Sequence, residues 1–334
     1  MKCKLSDICV FRKGKVEVAN LNTKNYISTE NMLSNKSGIT DASSLPTVSL
    51  TQEYKNGDVL VSNIRPYFKK IWHAQYDGGC SNDVLVFVPK SNTDSDFLYY
   101  VLADDDFFTY SMVTSKGTKM PRGDKTSIMQ YAVPMVDFCT QKKIASVLKS
   151  LDEKIELNNA INENLEQQLR SVFMELFSDK IANVEANNHR PLGELVINID
   201  NRGKTPPFET TPTEYPIIDV RALSGTSRIV NYANCTKFVS AETYSSWFRS
   251  GHPKPKDILV STVGSLAEIK IFLGSKGCIA QNVVGFRTKD ISPYYLYQYL
   301  TAIKNDLVAY NIGSVQPSIK VTHIIKHPIY IPST

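Results

Sequence analysis

From Ile144 onward, apolar positions recur in alternating steps of four and three residues. Ile144, Leu148, Leu151 and Ile155 open the series, Leu165, Leu169, Val172 and Leu176 close it, and Asn158 and Asn162 hold its two middle positions. This spacing is the a/d seam of a heptad repeat, along which one helix packs against another. The surrounding stretch, Gln141 to Phe177, contains neither Gly nor Pro. At about 1.5 Å per residue it spans about 55 Å, too long for an ordinary domain helix. The seam therefore predicts a partner helix. Asn158 and Asn162 admit two readings: buried amides that fix register and strand number, or solvent-facing residues at a gap in the pairing.

On either side of this helix the hydrophobic pattern repeats itself, roughly 200 residues apart. KNGDVLVSNIRPYFKKI from Lys55 parallels KPKDILVSTVGSLAEIK from Lys254, setting Asp58 against Asp257, Leu60 against Leu259 and Ser62 against Ser261. Each reads as a charged turn running into a buried strand. GGCSNDVLVFVP from Gly78 faces KGCIAQNVVGFRT from Lys276, and FLYYVL at Phe97 faces YLYQYL at Tyr295, the latter pair at helical spacing. GTKMPRGDKTSIMQYAVP from Gly117 aligns without gaps to GSVQPSIKVTHIIKHPIY from Gly313. The matches keep one order, so two domains of one fold are expected. A chain of 334 residues has room for both.

Composition narrows the class without deciding function. Apolar residues make up 42% and charged residues 21%, as in a folded protein with real cores. No apolar run approaches the length of a membrane span and the N-terminus lacks a signal-peptide core, so a cytoplasmic protein without membrane contact is expected. Cys3, Cys9, Cys80, Cys139, Cys235 and Cys278 show no C-x-x-C spacing, which fits reduced core thiols. A net charge of +5 is compatible with a polyanionic partner.

Catalytic motifs are weak. TPPF (Thr205 to Phe208) is similar to the Asn/Asp-Pro-Pro-aromatic tetrapeptide of amino-methyltransferases, but Thr lacks the carbonyl that would accept the amine proton, and no Gly-rich cofactor loop precedes it. A Pro-stiffened surface loop is the better reading. GKT at Gly203 lacks the earlier Gly of a P-loop, since Asn198 stands there. Asp257, Glu268 and Lys270 fit the loose Asp…Glu-x-Lys pattern of metal-dependent nucleases, yet the first repeat has no acid opposite Glu268. His323 and His327 have chelating spacing without a third ligand, and Pro328 ends any helix there. No catalytic or metal site is expected.

What remains is loop-borne basic and aromatic residues: Arg65, Tyr67, Lys69 and Lys70 in NIRPYFKK, and Lys116, Lys119, Arg122 and Lys125 in SKGTKMPRGDK. In the second half Arg202, Lys204, Arg221, Lys254, Lys256 and Lys270 are the corresponding candidates. Arg and Lys on such loops suit phosphates and guanine edges, so these residues are candidate DNA contacts.

Two dissimilar copies of one domain, the strand approach GDVLVS, and a helix reading Q-x-x-I-A-x-x-L-x-x-L-D-x-K-I (Gln141 to Ile155) resemble the specificity subunit of type I restriction-modification systems. The resemblance implies an α+β chain with two repeated α/β target recognition domains, 1–138 and 183–334, joined by a long coiled-coil-forming helix at 139–182. It implies a non-catalytic subunit. Each domain would read half of a split sequence in double-stranded DNA, and the helix would set the half-site spacing. Methyltransferase subunits would dock on it, and restriction/translocase subunits would join them. S-adenosylmethionine, ATP and Mg would belong to those partners and not to this chain.

The divergence of Arg122 from Ser318 and of Arg65 from Gly264 is what reading two different half-sites requires. Family members usually add a second long helix after the second domain, and nothing like QKKIASVL follows Tyr330. The expectation is that a second copy, a separate chain or a methyltransferase subunit covers the seam. The alternative is a scaffold or decoy subunit dependent on another chain.

Overall fold

The computed structural model describes residues 2–117, 120–184, 188–313 and 315–332. It divides into two units, Met1–Leu157 and Asn158–Thr334, with the boundary inside the helix Phe138–Ala182.

In the first unit a four-stranded antiparallel sheet has the order Cys9–Phe11, Val84–Pro89, Val59–Ser62, Ile71–His73. Val59–Ser62 is buried throughout, because successive side chains of a strand point to opposite faces and both faces here are covered. Val59 and Val61 join Phe87, Leu98, Leu102, Phe107 and Phe108 beneath the helices Ser95–Ala103 and Asp105–Val113. Leu60, Val84 and Val86 face the other way, onto Ile27, Met32, Tyr54 and Cys80. Those residues belong to or adjoin a second sheet ordered Lys15–Glu17, Leu50–Tyr54, Gly78–Cys80, Tyr26–Ile27, whose last pair is parallel.

The second unit repeats the plan. Its sheet runs Val196–Ile199, Val283–Thr288, Ile258–Ser261, Ile269–Ile271. Ile258 and Val260 point toward the helix Pro293–Ala302, while Leu259 faces Ile218, Leu223 and Phe272. A parallel pair recurs between Ile217–Ile218 and Cys278–Ile279. The terminal pairings match as well: Lys2–Lys4 with Ala132–Pro134 in one unit, His189–Pro191 with Pro328–Tyr330 in the other.

A buried carboxylate lies at the same point of each unit. Asp58 accepts the Lys55 N–H and Asp257 accepts the Lys254 N–H, closing the turn before the central strand. Each also receives a forked guanidinium: Arg12 on Asp58, and Arg287 on Asp257 at 3.1 and 2.7 Å. Asp58 and Asp257 are each about 98% buried, so the fork neutralises a charge that would otherwise be costly.

The long helix is anchored at both ends. Its Gln141 is buried, donating to the Asn92 and Val136 carbonyls and accepting from the Asp94 N–H, and Ala145 is buried beside it. In the second unit Phe173 enters the core against Tyr295 and Tyr299, with Phe177 and Ile181 beside it. The heptad seam faces solvent: apart from half-buried Leu148, its apolar members and both Asn residues are exposed.

The six cysteines are free thiols. Burial pushes Cys9, Cys80 and Cys278 up to about 12, which makes them unreactive core residues. Among the described residues no helix is long and apolar enough to cross a membrane.

Candidate nucleic-acid interface

Where the strand Val59–Ser62 ends, the chain turns sharply. The Ser62 hydroxyl donates to the Ile64 carbonyl, Arg65 N–H donates to the Pro121 carbonyl, and Gly123 N–H donates to Asn63. Ile64 and Lys116 both bridge to Arg122, so NIRPYFKK and SKGTKMPRGDK come together at one end of the sheet. A short turn, Pro66–Phe68, is closed by Phe68 and Lys69 N–H groups donating to Arg65 and Pro66. The loop before Gly38 docks on it through Asn35 N–H to Phe68 and Lys36 N–H to Lys69.

Four non-glycine residues of this cluster have left-handed backbones: Asn35 (φ 57°), Lys36 (61°), Arg65 (51°) and Lys69 (49°). Each costs of order 1–2 kcal/mol, and such strain gathers where side chains must be displayed. Tyr67 and Phe68 are displayed here, 49% and 37% exposed, their ring centroids 4.7 Å apart.

The cations are held loosely. Lys36 and Lys69 share Asp105 at 2.7 and 2.9 Å, and their ammonium groups hold its carboxyl down at about 2. Lys116 pairs with Asp124 at 2.6 Å, and that contact with the Ser127 N–H holds Asp124 at about 2 as well. Arg122 meets Asp83 at 3.0 Å. Exposed pairs of this kind are worth little, so a phosphate can replace the carboxylate at small cost. The Arg65 Nε is buried without a hydrogen-bond acceptor. Lys70 donates to the Thr29 carbonyl, and desolvation lowers its pKa. Lys125 stands 5.9 Å from the Phe11 ring centroid, and Lys119 lies outside the described residues. Beside the cluster an open groove is lined by Ser28, Thr29, Asn31, Ser43, Ser81 and Asp83, a set of donors and acceptors suited to base edges.

The second unit builds the same frame with different side chains. Val263 bridges to Ser318, Gly264 N–H donates to the Pro317 carbonyl, and Ile312 N–H donates to Ser318. Gly264 thus occupies the place of Arg65, Ser318 that of Arg122 and Ile312 that of Lys116. The unit's cations lie elsewhere. Arg202 forks onto Asp200, and Arg221 onto Asp219 with a further bond to the Thr236 hydroxyl. Lys204 is exposed on its loop, and exposed Lys254 and Lys256 border the turn at the opposite end of the central strand. Lys270 is corrected outright: 97% buried, it donates to the Gly225 and Ser227 carbonyls and holds that loop, so it does not face a ligand. Burial lowers its pKa accordingly.

The weak catalytic patterns resolve into structure. Asp257 is taken by Arg287, Glu268 by Lys304 at 2.9 Å, and Lys270 by carbonyls, so the Asp…Glu-x-Lys set does not converge. Thr205 accepts from the Gln281 amide, and Phe208 lies under the Lys237 ammonium. His327 accepts or donates one bond with the Tyr310 hydroxyl, and His323 meets the same ring edge-on. Among the described residues no three His, Cys, Asp or Glu side chains gather as a metal site would need.

The forked arginines, the Gln141 anchor and Lys36 escaped the sequence reading. The aligned repeats expose Asp58 and Asp257, but the guanidinium arrives from the residue after an edge strand in one unit and from within a central strand in the other. No alignment column holds both arginines.

Comparison with known proteins agrees with this duplicated plan. A family model described as "Type I restriction modification DNA specificity domain" matches residues 1–167 and again 186–334. The Type I restriction enzyme HindI specificity subunit of Haemophilus influenzae is 29% identical over 163 residues, 46% of this chain and 35% of that protein. The EcoDI specificity subunit of Escherichia coli is 26% identical over 103 residues, 31% of this chain and 23% of that protein. The matched part thus spans about a third or less of each of these relatives. The crystal structure of a type-I restriction-modification S subunit from M. genitalium superposes with a TM-score of 0.52 at 14% identity, covering 99% of this chain and 84% of that one; the likeness is one of fold. With both halves matched, the chain belongs to the type I restriction modification DNA specificity domain family.

Proposed function

We propose that this chain is the DNA-sequence-recognition subunit of a type I restriction-modification complex and is not itself catalytic. Residues 1–138 and 183–334 each read one half of a bipartite target in double-stranded DNA, and the helix between them sets the half-site spacing and docks methyltransferase subunits. Those partners use S-adenosylmethionine, and restriction/translocase subunits supply ATP- and Mg-dependent cleavage. The observation carrying the reading is one loop frame built twice with divergent chemistry, Arg65 and Arg122 in one unit against Gly264 and Ser318 in the other. A common frame meets equivalent grooves, and different side chains on it select different bases. The specificity subunits named above support it.

Binding tests it directly. With its methyltransferase partner present, the chain should prefer one duplex sequence and lose affinity steeply with salt. Lys69→Ala should lower the salt slope by about 1 while leaving the preferred sequence unchanged, as expected of a phosphate contact. Affinity indifferent to both salt and sequence would refute the reading.

A further inference from the structure

The apolar seam of the helix Phe138–Ala182 reverses onto itself about Ala160. Ile144 then falls opposite Leu176, Leu148 opposite Val172, Leu151 opposite Leu169, Ile155 opposite Leu165, and Asn158 opposite Asn162. Any heptad seam reverses about some point. This one does so about a point that pairs its two polar members with each other, leaves apolar positions paired on both sides, and coincides with the midpoint of the helix itself. A slip of one heptad either way would set Asn158 and Asn162 against Ile, Leu or Val-type partners and leave their amides without acceptors. The pattern therefore selects one antiparallel register.

Other features agree. Ile155 and Leu165 are more than half exposed, as are Leu151, Val172 and Leu176. On one flank of the seam, Ala145 and Phe173 are buried in their own units, Asp152 accepts the Tyr100 hydroxyl at 2.8 Å, and Glu166 pairs with Arg228 at 3.4 Å. The carboxylates on this flank are thus already engaged. On the other flank exposed Val147 and Ile161 widen the apolar surface. A shallow depression on this flank, beside the midpoint, is lined by Ile161, Asn164, Leu165 and Gln168. The overall charge is compatible with the same direction. Phe138 to Leu151 carries Lys142, Lys143 and Lys149 and no acid, while Leu169 to Ala182 balances Arg170 and Lys180 against Glu175 and Asp179. Antiparallel pairing therefore avoids setting the lysine-rich end beside its own copy.

We infer that the seam is covered by a second copy of this chain, paired antiparallel through Ile144–Leu176 with the twofold axis beside Ala160. The inference stands independently of DNA reading, because its readout is mass. Sedimentation of the full chain should give twice the chain mass. Ile155→Lys and Leu165→Glu, each alone, should weaken the dimer by about 100-fold or more, since each sets a charge against an apolar residue twice per dimer. An equimolar mixture of the two variants should recover it, because the Ile155→Lys site of one chain meets the Leu165→Glu site of the other while the remaining pair is native. Both positions are exposed in the single chain, so each variant should keep the native circular dichroism spectrum and lose only the stability that pairing adds. Three results would overturn the inference: a native chain monomeric at about 50 µM, as expected if another protein covers the seam; a dimer unaffected by either variant; or variants that fail to recover on mixing.

Discussion

Arg287 and Asp257 show how this fold treats a buried charge. The carboxylate is sealed from water and satisfied by the guanidinium fork and the Lys254 N–H, so removing either partner strands the other. Asp257→Ala should cost about 3–5 kcal/mol in urea unfolding, with Asp58→Ala similar in the first unit. A near-neutral effect would mean that water reaches the pair. The histidines set a pH dependence. His73, His252 and His327 have pKa values lowered chiefly by burial, below the unfolded value of 6.5. Between the two values the unfolded chain binds protons that the folded chain excludes. Their contribution to stability is therefore complete above about pH 6.5 and is lost as pH falls through the folded values. The melting temperature should drop from about pH 7.5 to about pH 5, and less steeply in His327→Gln; identical slopes would refute the assignment.

Among the elements, the central strands were the most legible: VLVS and ILVS are apolar runs because both sheet faces are covered. The helices at Ser95–Ala103 and Pro293–Ala302 follow the spacing of their aromatic and Leu residues. The long helix was only half legible. Its heptad seam is its strongest periodic signal, yet the face that holds it to the first unit rests on Gln141, a polar residue that hydropathy places outside a core. Gln141→Ala would leave the Asp94 N–H and two carbonyls without that partner. The expected cost is about 1–3 kcal/mol, with faster amide exchange confined to Asp94 and the first helical turns. Exchange unchanged there would show that water substitutes for the amide.

Across the whole molecule, duplication was legible because the buried strands of the shared fold keep their apolar pattern in both halves, while the loops they carry differ. The gapless alignment of Pro121 with Pro317 corresponds to equivalent hydrogen bonds in the structure, Arg65 to Pro121 and Gly264 to Pro317. The displayed side chains were less legible. Lys270 reads as a surface cation in sequence because nothing local signals that its ammonium group satisfies two carbonyls from a distant loop. Lys36 was invisible because it joins Lys69 only through the fold, on Asp105. The central claim is that each repeat reads its own half of one target. Replacing residues 1–138 with the corresponding repeat of a relative and sequencing methylated sites in cells that also express the methyltransferase partner tests it most directly. The account predicts that one half of the methylated motif changes while the other half and the spacing persist. A motif unchanged in both halves, or altered in both, would contradict it.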